Sequence, residues 1–326
     1  MSVTIKDIAQ VVGVSYSTVA KALNNSPVVR EDTKRRIWLV AKQLGYQPNL
    51  AAKSLVSKKS KVIGVVWPSV ERAALSSLVT HIKDELATRG YDALISIHTL
   101  PEAIALFEQM QVHGIIVFED RTVPFSHPAE TIRSQLPLIC IGEQASVQAP
   151  CISVNRKQAI QLAVNQLADK GRTRLMYMGD LSHPSSLQQE KYIGFLEGVV
   201  GRHLPTHPQF TIDTKGLTWQ DGYKAAKIML QSDYKPDGII IGSYELTAGA
   251  LRAIQESNLR IPEDLSIIGY DNIKHMDHLE IPISAVGVPL EDQACHIAEA
   301  LLQLMDDPEQ IPPLTVLSAT YVERGS

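Results

Sequence analysis

From Val62 onward the chain alternates short apolar runs with longer helix-capable stretches, and this alternation restricts the possible folds more than any other feature. Val62-Ile63-Gly64-Val65-Val66-Trp67 is apolar throughout and stops at Pro68, as a strand covered on both faces should. A helix-capable stretch from about Ala73 to Arg89 follows and ends at Gly90. Strands are expected at 92–97, 114–118 and 138–142, with a helix at 102–112. The pattern then repeats, with helices expected at 156–170, 187–200, 220–231 and 245–256 between strands at 174–179, 210–213, 238–242 and 266–270. Continuous apolar strands separated by helices predict parallel sheets with helices on both faces, here in two α/β halves. A strand at 283–288, a helix at 290–305 and a strand at 315–322 are expected to cross back and complete the sheets of both halves.

The first sixty residues read differently. Thr4 with Asp7 three residues later has the spacing of a capping box, in which hydroxyl and carboxylate satisfy free amides at a helix start. Ile5, Ile8, Ala9 and Val12 recur at helical spacing, Gly13-Val14 makes a turn, and Val19 and Leu23 repeat the spacing. Ser15 is a suitable N-cap for this second helix, whose polar face of Tyr16, Ser17, Lys21 and Asn24 points away from the shared core. A third helix at about 31–44 brings Ile37, Ala41 and Leu44 to that core, with Glu31 and Asp32 at its start, where the helix dipole favours acid. Gly45 ends it, and Gln47-Pro48-Asn49 breaks the chain before a short helix-capable run, Leu50 to Val56.

Charge divides along the same line. Residues 1–60 hold ten Lys or Arg against Asp7, Glu31 and Asp32, a net of +7, which leaves −11 on the remainder of a chain totalling −4. A basic head on an acidic body suits a phosphate-binding module fused to a sensor. Cys140, Cys151 and Cys295 are odd in number and read as reduced thiols. Neither Cys-x-x-Cys nor His-Glu-x-x-His occurs, so no metal and no cofactor is expected. The N-terminus lacks a signal-peptide apolar core and no apolar run approaches the roughly 20 residues of a membrane span, which points to the cytoplasm.

Thr4-Ile5-Lys6-Asp7-Ile8-Ala9, Gly13-Val14-Ser15, Thr18-Val19, Leu23-Asn24, Leu44-Gly45-Tyr46, Pro48-Asn49 and Ser54-Leu55 together resemble the head and hinge of the lactose-repressor (LacI/GalR) family of bacterial transcription regulators. In the body, Lys170-Gly171-Arg172, Gly194-Phe195, Gly222-Tyr223, Ile261-Pro262-Glu263-Asp264 and Gly269-Tyr270-Asp271-Asn272 are similar to the periplasmic-binding-protein-like core of the same regulators. The resemblance implies an α/β protein with a helix-turn-helix head at 1–47, a hinge helix and linker at 48–60, and an effector-sensing, dimerising core at 61–326. Within the core it implies subdomains of about 61–155 and 156–285, with 286–326 crossing back, and a ligand cleft at the carboxyl ends of the strands.

The family's base-reading positions fall on Tyr16, Ser17 and Lys21, whose ring, hydroxyl and ammonium suit the major groove. Thr4, Ser15 and Asn24 are implied phosphate contacts, which set register without reading sequence. The hinge positions Ala51, Ala52 and Leu55 are implied minor-groove contacts: the small residues allow close approach between two subunits, and Leu55 wedges between base steps and kinks the duplex. Such a short hinge is marginal as an isolated helix and forms on DNA, so a ligand in the body can bias it.

Effector contacts are implied at Ser69, Arg72, Lys191, Leu217, Ser243 and Asp271, and here the chain departs from its relatives. Ser69 and Arg72 stand where the family commonly has an acid and part of an Asn-Pro-Phe run, Val154-Asn155 replaces Asp-Asn, Lys191 replaces a clamping Arg, Leu217 an aromatic, and Ser243-Tyr244 an Asn-Asp pair. Only Asp271 is retained. A Lys ammonium suits a phosphate or carboxylate better than a diol, so the expected effector is anionic, such as a sugar phosphate or sugar acid.

The expectation is a homodimeric, sequence-specific repressor that binds a palindromic operator in double-stranded DNA under control of a small molecule. No heptad-patterned helix is appended after Arg324, so a dimer and no tetramer is expected. Regulation by a protein partner, or without effector, is the alternative within the family. A solute-binding protein would share the body but have no basic head. An enzyme would need a phosphate loop, a nucleophile elbow or paired carboxylates at motif spacing, and none is present.

Overall fold

The structure is a computed structural model and describes residues 3–46, 60–119, 134–142, 149–182, 186–307 and 314–326. The chain divides into two compact units, Met1–Ser60 and Lys61–Ser326.

The first unit is a small bundle of α1 (Ile5–Val12), α2 (Tyr16–Leu23) and α3 (Glu31–Gln43). Ile8, Val19, Ala22, Val29, Ile37 and Ala41 form its buried centre, each large aliphatic member contributing roughly 1.5–3 kcal/mol. Gly13 closes α1 in the left-handed region (φ 73°), and its amide donates to Ala9 O, a geometry that a residue without Cβ adopts at no steric cost. Arg36 reaches from α3 to donate to Val12 O (3.0 Å), which ties the third helix to the last carbonyls of the first. Leu44 departs from expectation: α3 stops at Gln43 and Leu44 is 37% exposed as its C-cap. The chain reverses at Gly45 (φ 69°), and Tyr46 packs against the core instead.

The second unit holds two six-stranded sheets of matching winding. The first runs β11-β5-β4-β3-β1-β2 and the second β12-β10-β9-β8-β6-β7. The first comprises β1 (Val62–Val66), β2 (Asp92–Ser96), β3 (Gly114–Glu119), β4 (Leu138–Gly142), β5 (Cys151–Val154) and β11 (Thr315–Leu317), all parallel. The second comprises β6 (Leu175–Gly179), β7 (Thr211–Asp213), β8 (Gly238–Ile241), β9 (Ser266–Tyr270), β10 (Ser284–Gly287) and β12 (Thr320–Val322), parallel except that β12 runs against β10. The single strand expected at 315–322 is therefore two, one closing each sheet, parted at Ser318-Ala319. The four-residue strand β5 was not expected, because Pro150 and its short length hide it among loop-like residues.

Helices α4 (Ala73–Thr88), α5 (Leu100–Gln109), α6 (Arg156–Asp169), α7 (Ser186–Gly201), α8 (Trp219–Gln231), α9 (Tyr244–Gln255) and α10 (Leu290–Asp306) cover the sheets. A one-turn 3-10 helix, Lys274–His278, follows β9. Helix α5 begins two residues before its expected start: Thr99 N and Oγ1 both donate to Glu102, and Pro101 sits in the first turn, where its missing N–H costs nothing. Although α10 follows β10 of the second half, its Ala294, Ile297, Ala298, Leu301 and Leu304 join the core of the first. In the second half, α8 and α9 cross closely enough that a Cβ on Gly249 would lie 2.0 Å from Trp219 O, and one on Gly222 2.2 Å from Leu246 O. Among the described residues no helix is long and apolar enough to cross a membrane.

Candidate DNA-reading face and ligand cleft

Helix α2 is held at its start by Ser15, whose Oγ accepts from the Thr18 amide (3.1 Å) and contacts Ser17 Oγ and Thr18 Oγ1, each at 2.8 Å. Burial of Val19 and Ala22 fixes the helix's rotation and leaves Tyr16, Ser17, Lys21 and Asn24 exposed, with Tyr16 at 55%. Asn24 is the C-cap residue. At α1 the Thr4 amide and hydroxyl both donate to Asp7 Oδ2 (2.7 and 2.8 Å), which holds that carboxyl below its ordinary 3.8. The capping box expected at Thr4 and Asp7 is thus in place. Tyr46 lies near Tyr16, and burial together with that neighbour pushes its phenol up. The head accordingly presents one exposed, polar, cation-bearing helix face, which is what a helix entering a major groove presents. Ala51, Ala52 and Leu55 lie outside the described residues.

In the body, the carboxyl ends of strands from both sheets meet around a cavity of about 90 Å³. Phe118 and Val154 reach it from the first sheet, Tyr270 and Asp271 from the second, Arg72 from the loop after β1, Arg156 from the start of α6, and Gln188 and Lys191 from α7. Clefts that enclose a drug-sized ligand measure roughly 300–1000 Å³, well above the volume of this cavity.

Lys191 is buried; its Nζ donates to Gly242 O (2.8 Å) and stands 3.9 Å from the centre of the Tyr270 ring. Arg156 donates to Val154 O (3.2 Å) and lies 3.8 Å from the half-exposed Glu190 carboxylate. Burial pushes the Tyr270 phenol up to about 12, with Arg156 opposing and Asp271 reinforcing, so the ring stays neutral between its charged neighbours. Asp271 adopts φ 82°, outside the usual range for a residue with a Cβ, and its Oδ2 accepts from the Tyr244 amide (3.0 Å). Backbone strain of this kind collects at ligand sites.

Of the six expected effector contacts, Arg72, Lys191 and Asp271 line the cavity. The other three are absent from its described lining. Ser69 accepts from the Glu71 amide, Leu217 packs on the second half's core, and Ser243 is the fully buried N-cap of α9, accepting from Leu246 N. Arg156 and Gln188 were not read from the sequence. The available signal for Arg156 was Asn155, an N-cap that puts the next residue in the first turn of a helix facing the cleft.

Among the described residues no cluster of His, Cys, Asp or Glu is placed to hold a metal. His203 and His207 are four residues apart, but they lie in the loop after α7, with His207 stacked on Tyr234.

A third surface lies on the outside of the second half. Trp219 stacks on Tyr223 (5.3 Å, 13°) beside an open groove of about 720 Å³ lined by Tyr244, Ala248, Arg252 and Leu279. Tyr223 Oη donates to Glu256 (2.7 Å), and Lys227 and Arg252 pair with the same carboxylate.

Residues 4–49 match the family model described as bacterial regulatory proteins, lacI family, and residues 164–326 match the periplasmic binding protein-like domain. The chain is 29% identical over 335 residues to the probable HTH-type transcriptional repressor ExuR of Bacillus subtilis (strain 168), covering 99% of this chain and 98% of the relative. It is 28% identical over 299 residues to catabolite control protein A of Priestia megaterium, covering 90% and 89%. Its fold is similar to that of the Lac repressor dimer bound to operator and the anti-inducer ONPF, with TM-score 0.80, 22% identity, and coverage of 100% and 99%.

Proposed function

Because the chain belongs to the LacI family of bacterial regulatory proteins, we propose that it is a cytoplasmic, homodimeric repressor that binds a palindromic operator and answers to a small anionic effector in the body cleft. The observation that carries the DNA-binding reading is the α2 face: Val19 and Ala22 are buried while Tyr16, Ser17 and Lys21 stand exposed together. Two such heads related by a two-fold axis read two symmetric half-sites, whereas one head buries little contact area. Thr4, Ser15 and Asn24 serve as phosphate contacts, and Ala51, Ala52 and Leu55 as the minor-groove hinge. The Trp219–Tyr223 groove suits a second copy of the chain, since Trp219 remains 40% exposed at a surface that is mostly ring and aliphatic carbon.

Arg72, Arg156 and Lys191 around one cavity support an anionic effector, with Asp271 the acid among the described lining residues. Enzymatic activity forms no part of this reading.

Selection of the full-length protein against random duplex DNA tests the function, with light scattering of the unbound protein alongside. Enrichment of an inverted repeat bound by a dimer is expected. Binding to all sequences alike, or recovery of a monomer on a single half-site, would defeat it.

A further inference from the structure

Helix α4 of the first half does not cap itself. Arg72 is its N-cap residue and makes no side-chain capping bond, since a guanidinium has no acceptor to offer a free amide. The acceptor comes from the other half of the body: Glu245 Oε1 accepts from the Ala73 amide at 2.8 Å across 172 residues of chain. Glu245 lies in the first turn of α9, so one carboxylate stands at the positive ends of two helices, one in each half. Its Oε2 is 3.8 Å from Arg72 Nε, near enough for charge attraction and too far for a hydrogen bond, and both atoms are buried without a hydrogen-bond partner.

Packing puts the junction at the same place. Ala73 and Ala74 pack against the core of the second half, whereas Leu75, Leu78, Val79, Ile82 and Leu86 of the same helix belong to the core of the first. The first turn of α4 is seated on one half and the remaining turns in the other, so any parting of the halves strips the Ala73 amide of its acceptor. Arg72, Ala74 and Leu75, on either side of that amide, line the cavity.

We propose that Glu245 is a latch between the two halves: while its carboxylate caps α4 and attracts Arg72, the cavity is held shut, and its release lets the halves part. A hydrogen bond to a charged group shifts a two-state balance by about tenfold or more, enough to decide which arrangement is populated. The latch belongs to the ligand-free body and does not rest on the effector reading of the cleft.

Three variants of the full-length protein separate its parts. Glu245→Gln keeps an acceptor for Ala73 and loses the attraction to Arg72, and Glu245→Ala loses both. Arg72→Ser, added to Glu245→Ala, gives α4 an N-cap of its own without rebuilding the link between the halves. Trp67 is 1% exposed and packs on Phe118, a lining residue of the cavity, with 5.0 Å between ring centres. In a background carrying Trp38→Phe and Trp219→Phe it is the remaining tryptophan, and its quenching by acrylamide reads the parting of the halves.

Glu245→Ala should raise the Trp67 quenching rate about threefold or more and speed hydrogen exchange of the amides at 73–75 by a similar factor. Glu245→Gln should show a smaller rise in quenching. The double variant should regain exchange protection at 73–75 while its quenching stays high. Quenching in Glu245→Ala equal to that of the wild type would overturn the proposal, and so would quenching restored by Arg72→Ser, since the contact would then serve only to cap α4. If Glu245→Ala does not fold, Glu245→Gln decides alone, and quenching unchanged in that variant overturns the latch. Neither readout uses DNA or a cleft ligand, so failure of the proposed repressor function leaves this result standing.

Discussion

The Lys191 ammonium sits on the face of the Tyr270 ring, 3.9 Å from its centre, and donates to Gly242 O at the end of β8. A buried cation is thereby held by a ring quadrupole and a carbonyl dipole at the point where the second sheet meets the cleft. Lys191→Ala should cost roughly 1–3 kcal/mol of unfolding free energy, since a charged hydrogen bond is lost and the carbonyl is left buried. Urea denaturation measures this, and a midpoint equal to that of the wild type would show that the contact is energetically idle. The same variant should weaken binding of acidic effectors.

Lys21→Ala should weaken operator binding by roughly 1–3 kcal/mol and blur discrimination at one symmetric base pair. Competition between the preferred site and random duplex checks it. Equal losses on both would make Lys21 a phosphate contact.

Leu55→Ala should weaken operator binding and reduce the bend while the head stays folded, because a wedge between base steps is lost and the phosphate contacts remain. A circular-permutation gel assay reads the bend directly, and an unchanged kink argues against the wedge.

Gly249→Ala should destabilise the second half by about 1–3 kcal/mol. Its new Cβ would be driven to 2.0 Å from Trp219 O, a backbone atom that moves only with its helix. The Trp219–Tyr223 stack should loosen with it, so tryptophan fluorescence and thermal melting should shift together. A melting temperature unchanged from wild type would contradict the close crossing of α8 and α9.

Glu256 supplies a pH prediction. Hydrogen bonds from Lys227, Tyr223 and Arg252 lower its carboxyl from an ordinary 4.5 to about 2. A depressed carboxylate pKa stabilises the fold above the unfolded value, and that contribution is lost as pH falls from 4.5 through about 2. The group is solvent-exposed, so added salt should shrink the effect. A carbon-detected titration should place its midpoint near 2, and Tyr223→Phe should raise it. A midpoint near 4.5 in the wild type would dissolve the network.

Several elements were open to reading in the chain because their cause is local. Val62 to Val66 is apolar at every position, so it had to be a strand covered on both faces, and β1 lies inside a parallel sheet. Ser15 and the Val19 spacing orient α2, since an N-cap and a buried stripe together fix a helix's start and rotation. Leu44 misled because its spacing is helical but the helix ends one residue short of it, a choice made by Gly45 and Tyr46.

What the sequence by itself determined, then, is the alternation, the start and rotation of α2 and the charge split between head and body, all properties of neighbouring residues. The tertiary structure alone decided that 315–322 is two strands in two sheets, that α10 serves the first half, and that Arg156 and Gln188 join Arg72 and Lys191 at one cavity while Ser69, Leu217 and Ser243 stand apart from its described lining. The physical reason is distance along the chain. The Ala73–Glu245 hydrogen bond spans 172 residues, and no local periodicity encodes a contact of that separation, which is set by how two sheets wind and which of their strand ends meet.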